Sequence, residues 1–373
     1  TSVGKSQITS VADASAASLG NLSGSLAIGV GIVRDNTTTD IMDNASIQST
    51  GGGVLVGADS QVQTVFAGRA AFDDDFASTA QSKFDAAIDN RSELSQTFAG
   101  INLATTLKSG VSDVLTQFSS SMGGSGGGVQ LAGSLIYADL VNDTNTIIGV
   151  ADPALSASAP SLQAAGNLTI RSRGITHSQA FASGRTDNAT YGGSAGVAIQ
   201  KITNRMATTV SGSDLANVQL TGDNITIAAL TEGYQDNISA TNKFGVYAIS
   251  GVGTSSSDSI GLSGALAIGI SNTNEVTATL GDNTTTNATN DVDVNATNIT
   301  DIKVKADGSK TAVEASGRFM AVLKDETPVD SVISTSKKSG KLGLGASVAV
   351  AVAENTARAN IASGAIVTAG DNI

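Results

Sequence analysis

The feature that most limits what this chain can fold into is that it repeats itself. The stretch GLSGALAIGISNTNEVTATL (261–280) has four relatives elsewhere in the chain. They are GSLAIGVGIVRDNTTTDIM (24–42), GSLIYADLVNDTNTII (133–148), GVAIQKITNRMATTV (196–210) and GASVAVAVAENTARANI (345–361). Each runs from small and branched apolar residues into an asparagine. Aligned on Asn36, Asn142, Asn204, Asn274 and Asn355, each has an apolar residue six positions later: Met42, Ile148, Val210, Leu280 and Ile361. The shared apolar approach to that Asn makes chance agreement a poor explanation.

A second motif follows each of these: GGVLVGA (52–58), GNLTIRS (166–172), GDNITIAA (222–229), NDVDVNA (290–296) and GDNI (370–373). Gly or Asn-Asp supplies a turn, and the residues after it alternate with period two, as a half-buried strand does. A looser third segment comes next: SQVQTVFAG (60–68), ITHSQAFASG (175–184) and NISATNKFG (237–245). KSQITSVADASAASLG (5–20) reads as the same segment of an earlier unit. The chain therefore begins inside one unit and ends inside another, and a fragment of something longer is expected. The units recur at about 60 to 80 residues, with one interval of about 106.

A unit of this kind cannot bury its apolar face alone. Stacking units as coils buries a continuous core and pairs backbone groups between coils. Small residues let opposing faces approach closely, and Val and Ile stack on themselves from coil to coil. The repeated asparagines are expected at turns, where Asn tolerates left-handed backbone, and a row of them could form a ladder. The expected fold is all-β, a parallel β-solenoid of about five degenerate repeats, with long strands in a broad coil. An array of β-sandwiches is the alternative.

The long interval holds an insertion. Phe76, Ala80, Phe84 and Ile88 recur at i+4 on one helical face. Leu103, Leu107, Val114 and Phe118 mark a second helix weakened by Gly110, and GGSGGG (123–128) returns the chain to the strand pattern. The expected organisation is solenoid over 1–75, a short α-helical insertion over 76–122, and solenoid again over 123–373. Phe84, Ile88, Phe98, Leu107 and Phe118 form a candidate face for covering an edge or docking a neighbour.

Composition narrows the function classes. Aromatics at 3% and no Trp exclude a thick aromatic core, while 40% apolar residues argue against disorder. A net charge of −12 disfavours nucleic acid, whose phosphates need clustered Lys and Arg. It suits a solvated, secreted or surface-exposed chain. The absence of Cys removes disulfides, thiolate metal sites and Cys nucleophiles. The longest apolar run, Leu344 to Ala353, is too short for a membrane span.

The chemical motifs are thin. Gly4-Lys5-Ser6 ends like a phosphate loop but lacks the strand–loop–helix context, and GVG (29–31) and GLG (343–345) fall inside repeated strands. His177 is the only histidine, which leaves zinc sites and Ser-His-Asp chemistry poorly supported. Asp73, Asp74 and Asp75 form the densest acidic run. Three carboxylates make a candidate calcium site, against the reading of an acidic helix start. Acid pairs for cutting polysaccharide need converging carboxylates, and here the charges are scattered. Sequons such as Asn36, Asn142, Asn167, Asn224, Asn283 and Asn298 are numerous in so Asn- and Thr-rich a chain.

The pattern GxxGASVAVxxxxNxTxAxI followed by GDxxVxA resembles the repeat regions of large bacterial filamentous adhesins, including the leukotoxin-like family of fusobacteria. The stretches 343–361 and 261–280 carry the first half and 222–229 the second. The resemblance covers most of the chain except 76–122. It implies a secreted β-solenoid shaft at a cell surface, and it transfers no catalytic residues. The expectation is a non-enzymatic structural shaft or fibre with no cofactor beyond the candidate calcium. Its expected partners are neighbouring repeats, identical subunits, or a host or matrix surface. A self-assembling filament, sheath or surface-layer subunit is the second reading, and a carbohydrate-active β-helix the third.

Overall fold

The computed structural model describes residues 1–15, 17–19, 22–71, 97–98, 101–102, 128–150, 158–232, 241–254, 260–309 and 342–373. The chain enters on β1 (Ser2–Ser15) and β2 (Ala17–Leu19), and the first full coil runs β3 (Leu22–Ile41), β4 (Ser46–Ser49) and β5 (Val54–Ala71). A small hairpin follows, β6 (Thr97–Phe98) and β7 (Ile101–Asn102). The second coil is β8 (Val129–Gly149), β9 (Ser161–Ala164) and β10 (Leu168–Ala189). The third is β11 (Tyr191–Ser211), β12 (Val218–Gly222), β13 (Ile225–Thr231) and β14 (Asn242–Thr254). The fourth is β15 (Ile260–Leu280), β16 (Thr284–Ala288), β17 (Val292–Thr297) and β18 (Thr300–Ser309), and the fifth opens with β19 (Leu342–Ile361) and β20 (Ala365–Thr368).

Each coil contributes to the same three sheets. A front sheet has the order β19-β15-β11-β8-β3-β2, and a base sheet has β20-β16-β12-β9-β4. A back sheet runs β1-β5-β10-β13-β17, with β14 and β18 continuing beside β10. Named strands of neighbouring coils pair in parallel throughout the described residues; the antiparallel pairs are β2 with β3 and β6 with β7. One repeat is thus one broad coil, and the fold is an all-β parallel solenoid rather than a row of sandwiches. The strands before and after residues 76–122 share sheets, because β3 pairs β8 and β5 pairs β10.

The helices expected over 76–88 and 103–118 lie outside the described residues. No helix occurs among the described residues. Phe98 lies in β6 opposite Ile101 of β7, as Thr, Phe and Ile favour extended backbone. Phe76, Phe84, Ile88, Leu107 and Phe118 lie outside the described residues, as do Asp73, Asp74 and Asp75.

The interior is divided. Around the base sheet, Ile148, Leu162, Leu168, Ile170, Leu220 and Ile225 make a dense branched core. Between the long front and back sheets the filling is smaller: Ala138, Ala180, Ala198 and Ala267 surround Ile136, Leu140 and Phe66. Front-sheet strands point their small residues inward. In β15, Ala265, Ala267 and Gly269 are buried, whereas Leu262 is 51% exposed and Leu266, Ile268 and Ile270 are half-buried on the outer side. The GVG of β3 has the same explanation. A Cβ on Gly31 would overlap the Phe66 ring, so glycine there lets the back sheet close in.

Candidate functional site

Between the two apolar compartments runs a buried polar seam, built from the repeated asparagines. Asn142, Asn204, Asn274 and Asn355 stand in register on β8, β11, β15 and β19. Each amide donates to the next: Asn142 Nδ2 to Asn204 Oδ1 at 3.2 Å, Asn204 Nδ2 to Asn274 Oδ1 at 3.0 Å, and Asn274 Nδ2 to Asn355 Oδ1 at 2.7 Å. The back sheet supplies the remaining partners. Ser60 Oγ donates to Asn142 Oδ1 at 2.9 Å, and Thr176 Oγ1 accepts from Asn142 Nδ2 at 2.9 Å and donates to Asn204 Oδ1 at 3.1 Å. The first three asparagines are at most 1% exposed. Buried amides with both ends satisfied hold coils in register, since a slip of one residue would leave them unpaired.

Two corrections to the sequence expectation follow. The ladder asparagines sit in mid-strand, pointing inward, and are not at turns; among the described residues the non-glycine ones with left-handed φ are Asn44 (61°) and Asn283 (55°), at front-to-base corners. The first repeat is also out of step by one. Asp35 pairs with Asn142, while Asn36 pairs with Asp143 and faces solvent. Strand period is two, so this offset sends Asn36 to the opposite face. Ile41, six residues after Asp35, then stands against Ile148 in place of Met42.

The seam also resists an insertion. Between β11 and β15, Lys201–Thr203 faces Ile270–Thr273, so β15 carries one extra residue. The bulge is absorbed just before Asn274, with Asn272 turned outward and Asn274 kept in its rung.

A second rung, four residues further on, was not visible as such in the sequence. Thr39, Thr146 and Thr208 insert their hydroxyls between successive strands of the back sheet. Ser2 N–H donates to Thr39 Oγ1 (3.1 Å), which donates to Gly57 O (2.7 Å). The same relay runs from Ala58 N–H through Thr146 Oγ1 to Arg171 O (3.0 and 2.7 Å), and from Ser172 N–H through Thr208 Oγ1 to Ala228 O (2.7 and 2.6 Å). Each hydroxyl satisfies one amide and one carbonyl of adjoining coils. The signal available was a Thr four residues after Asp35, Asn142 and Asn204, replaced by Ala278 and Ala359 in the later coils.

At the base-to-back corner the second motif stacks as well. Asn224 Nδ2 donates to Asn167 Oδ1 at 2.8 Å and Asn372 Nδ2 donates to Asp291 Oδ1 at 2.8 Å.

The outer faces differ in chemistry. On the back sheet, Asp59 is 3% exposed and held by the Arg173 fork, with Nε at 2.7 Å and Nη2 at 3.2 Å; Arg171 Nε stands 3.8 Å away. A carboxylate so occupied clamps β5 to β10. The second motifs, aligned, place Asp59 opposite Arg173 and would have revealed it. His177, also on this face, donates from Nε2 to Thr241 O at 3.1 Å. Among the described residues no group of three or more His, Cys, Asp or Glu could hold a metal ion.

The front sheet carries the largest chemical contrast. Its outer side beyond Arg34 is polar, with Asp143, Arg205 and Glu275 in one row and Arg205 Nη1 3.5 Å from Asp143. Its outer side before Arg34 is largely apolar, broken by Asp139 and Lys201 in the row of Ile32. One row reads Ile28, Leu135, Val197, Leu266 and Val348, and the next reads Val30, Tyr137, Ile199, Ile268 and Val350. Leu26 is 63% exposed and Ile32 65%. At one end of this face a shallow groove of about 740 Å³ runs over Gly133, Gly193 and Gly264 between Leu26, Leu131 and Leu262. No helix among the described residues is long and apolar enough to cross a membrane. Neither a family model, nor a curated protein, nor a solved structure matches this chain.

Proposed function

We propose that this chain is a segment of an extracellular structural shaft or fibre of a bacterial surface adhesin, whose task is to hold a binding element away from the cell. The observation that carries the reading is the continuous parallel stacking of five coils, the last four of them joined by an amide seam. Such stacking makes each coil the template for the next, so load passes through main-chain hydrogen bonds and not through flexible linkers. The net charge of −12 and the lack of Cys fit a solvated chain outside the cell. The resemblance of 261–280 and 343–361 to filamentous adhesin repeats points the same way.

The intact mass of the native polypeptide tests the reading. A chain several times longer than this 37.0 kDa stretch, with further repeats flanking it, is the expected result. A mature native polypeptide of 37.0 kDa would overturn the single-chain shaft and favour a self-assembling subunit.

A further inference from the structure

We propose that the first rung of the buried seam holds a hard monovalent cation, Na⁺ or K⁺, between the first and second coils. The later rungs are closed by amides that all donate toward the later coil: Asn142 to Asn204, Asn204 to Asn274 and Asn274 to Asn355. At the first coil the ladder therefore ends on an acceptor, Asn142 Oδ1, which takes one bond from Ser60. An asparagine beside it would donate a second. The residue paired there is Asp35, whose ionised carboxylate has nothing to donate and whose Oδ2 is buried without a hydrogen-bond partner. Two residues along, Thr37 and Thr144 stand side by side, 5% and 0% exposed, and neither hydroxyl has a partner. The aligned amides also turn the negative ends of their dipoles toward Asp35. A rung made only of acceptors calls for a cation.

Asp35, Asn142, Thr37 and Thr144 are neighbours on the inner side of two adjacent strands. At about 4.8 Å between strands and about 6.6 Å between alternate residues, the centre of this block lies about 4 Å from each Cβ. Oxygens leaning into it come within the roughly 2.4 Å of a calcium-sized ion, and Na⁺ is of that size. The opposing back strands are bare at this level, where Gly4, Ser60 and Gly174 align on β1, β5 and β10. A Cβ on Gly4 would strike Thr37 Oγ1 and stand 3.5 Å from Asp35 Oδ1, and one on Gly174 would stand 3.4 Å from Thr144 Oγ1. Asp35 is half-buried, which gives an ion entry and room for water ligands. None of the ion pairs among the described residues involves Asp35. One carboxylate among neutral oxygens balances a single positive charge, whereas a divalent ion would leave an excess. The proposal does not depend on the shaft reading, because the native chain length has no bearing on it.

Amide hydrogen exchange of the full chain tests it, in sodium, potassium or choline chloride at about 150 mM, so that screening is matched. The amides that β3 and β8 share around Asp35 should exchange about fivefold more slowly in sodium or potassium than in choline. That is the factor expected for a Kd of about 40 mM. Asp35→Asn removes the charge and supplies the missing donor, so its exchange should be slow and the same in all three salts. Thr144→Val keeps the shape but deletes one ligand and should shrink the salt effect. Thr38→Val, outward on the same strand, should leave it intact. A wild-type chain that exchanges equally in all three salts would overturn the proposal. So would an Asp35→Asn chain that keeps the salt dependence, or a Thr144→Val chain that keeps all of it. Calcium chloride at equal ionic strength protecting these amides better than sodium or potassium would overturn the single charge assigned to the ion.

Discussion

The two sides of the front sheet use nearly the same small alphabet and do opposite things with it. Inward, Ala265, Ala267 and Gly269 thin the core until Asn274 reaches the back sheet. Outward, Leu266 and Ile268 continue rows begun by Ile28 and Val30. Inside, identity is set by distance: the opposing sheet is close, so a residue is admitted by its size and by whether its polar atoms find partners. Outside, no described element presses on the rows, and the side chains there are larger. Hydrophobicity alone does not tell in from out in this sheet; side-chain volume does.

Substitutions matched across the sheet would break or sharpen that contrast. The largest effect is expected at the seam. Asn204→Ala removes bonds to Asn142, Thr176 and Asn274 in a site with no access to water, and should cost about 3–4 kcal/mol in denaturant unfolding. Asn36→Ala, on the outward side, should stay within about 0.5 kcal/mol. Next come the glycines. Gly31→Ala drives a methyl into the Phe66 ring and should lose about 1–3 kcal/mol. Gly264→Ala meets nothing within 4 Å and should be close to neutral by the same measurement.

The smallest of the three is Thr208→Val. It keeps the shape but strips the relay between Ser172 N–H and Ala228 O, at a cost of about 1–2 kcal/mol. Hydrogen exchange gives the more specific readout: the Ser172 amide should lose protection, and outward Thr277→Val should not change it. Equal losses on both sides of the sheet, in any of these pairs, would mean that the outer face is as tightly packed as the inner one.

Much of this architecture could be read from the chain. The repeats, one broad coil per unit and the stacked Asn-Asp corners all follow from self-comparison, because a solenoid writes its period into the sequence. The parts that could not be read share a physical cause. From Leu26 to Val33 nearly every residue is apolar or glycine, so period two leaves no mark and the inward parity is hidden. Asp35 and Asn36 are adjacent and both suit a polar rung, so only the Ile41–Ile148 contact settles which one faces in. The Thr relay joins residues far apart in sequence through backbone atoms, which have no letter in the sequence.

The bulge at Asn274 shows that register is corrected within a coil, beside the seam, instead of being passed on to the next coil. The 21-residue length of β15 has a different consequence, a mechanical one. At about 3.3 Å per residue the coil is about 70 Å broad, while two sheets about 10 Å apart with their side chains are only about 20 Å thick. Each coil adds only about 4.8 Å of height. A stack of such coils is a plank and not a round rod. Its second moment of area differs about tenfold between the two transverse directions, as the square of that width-to-thickness ratio. It would flex normal to the front face and resist bending edgewise, so any lateral load on it would be resolved into a single plane.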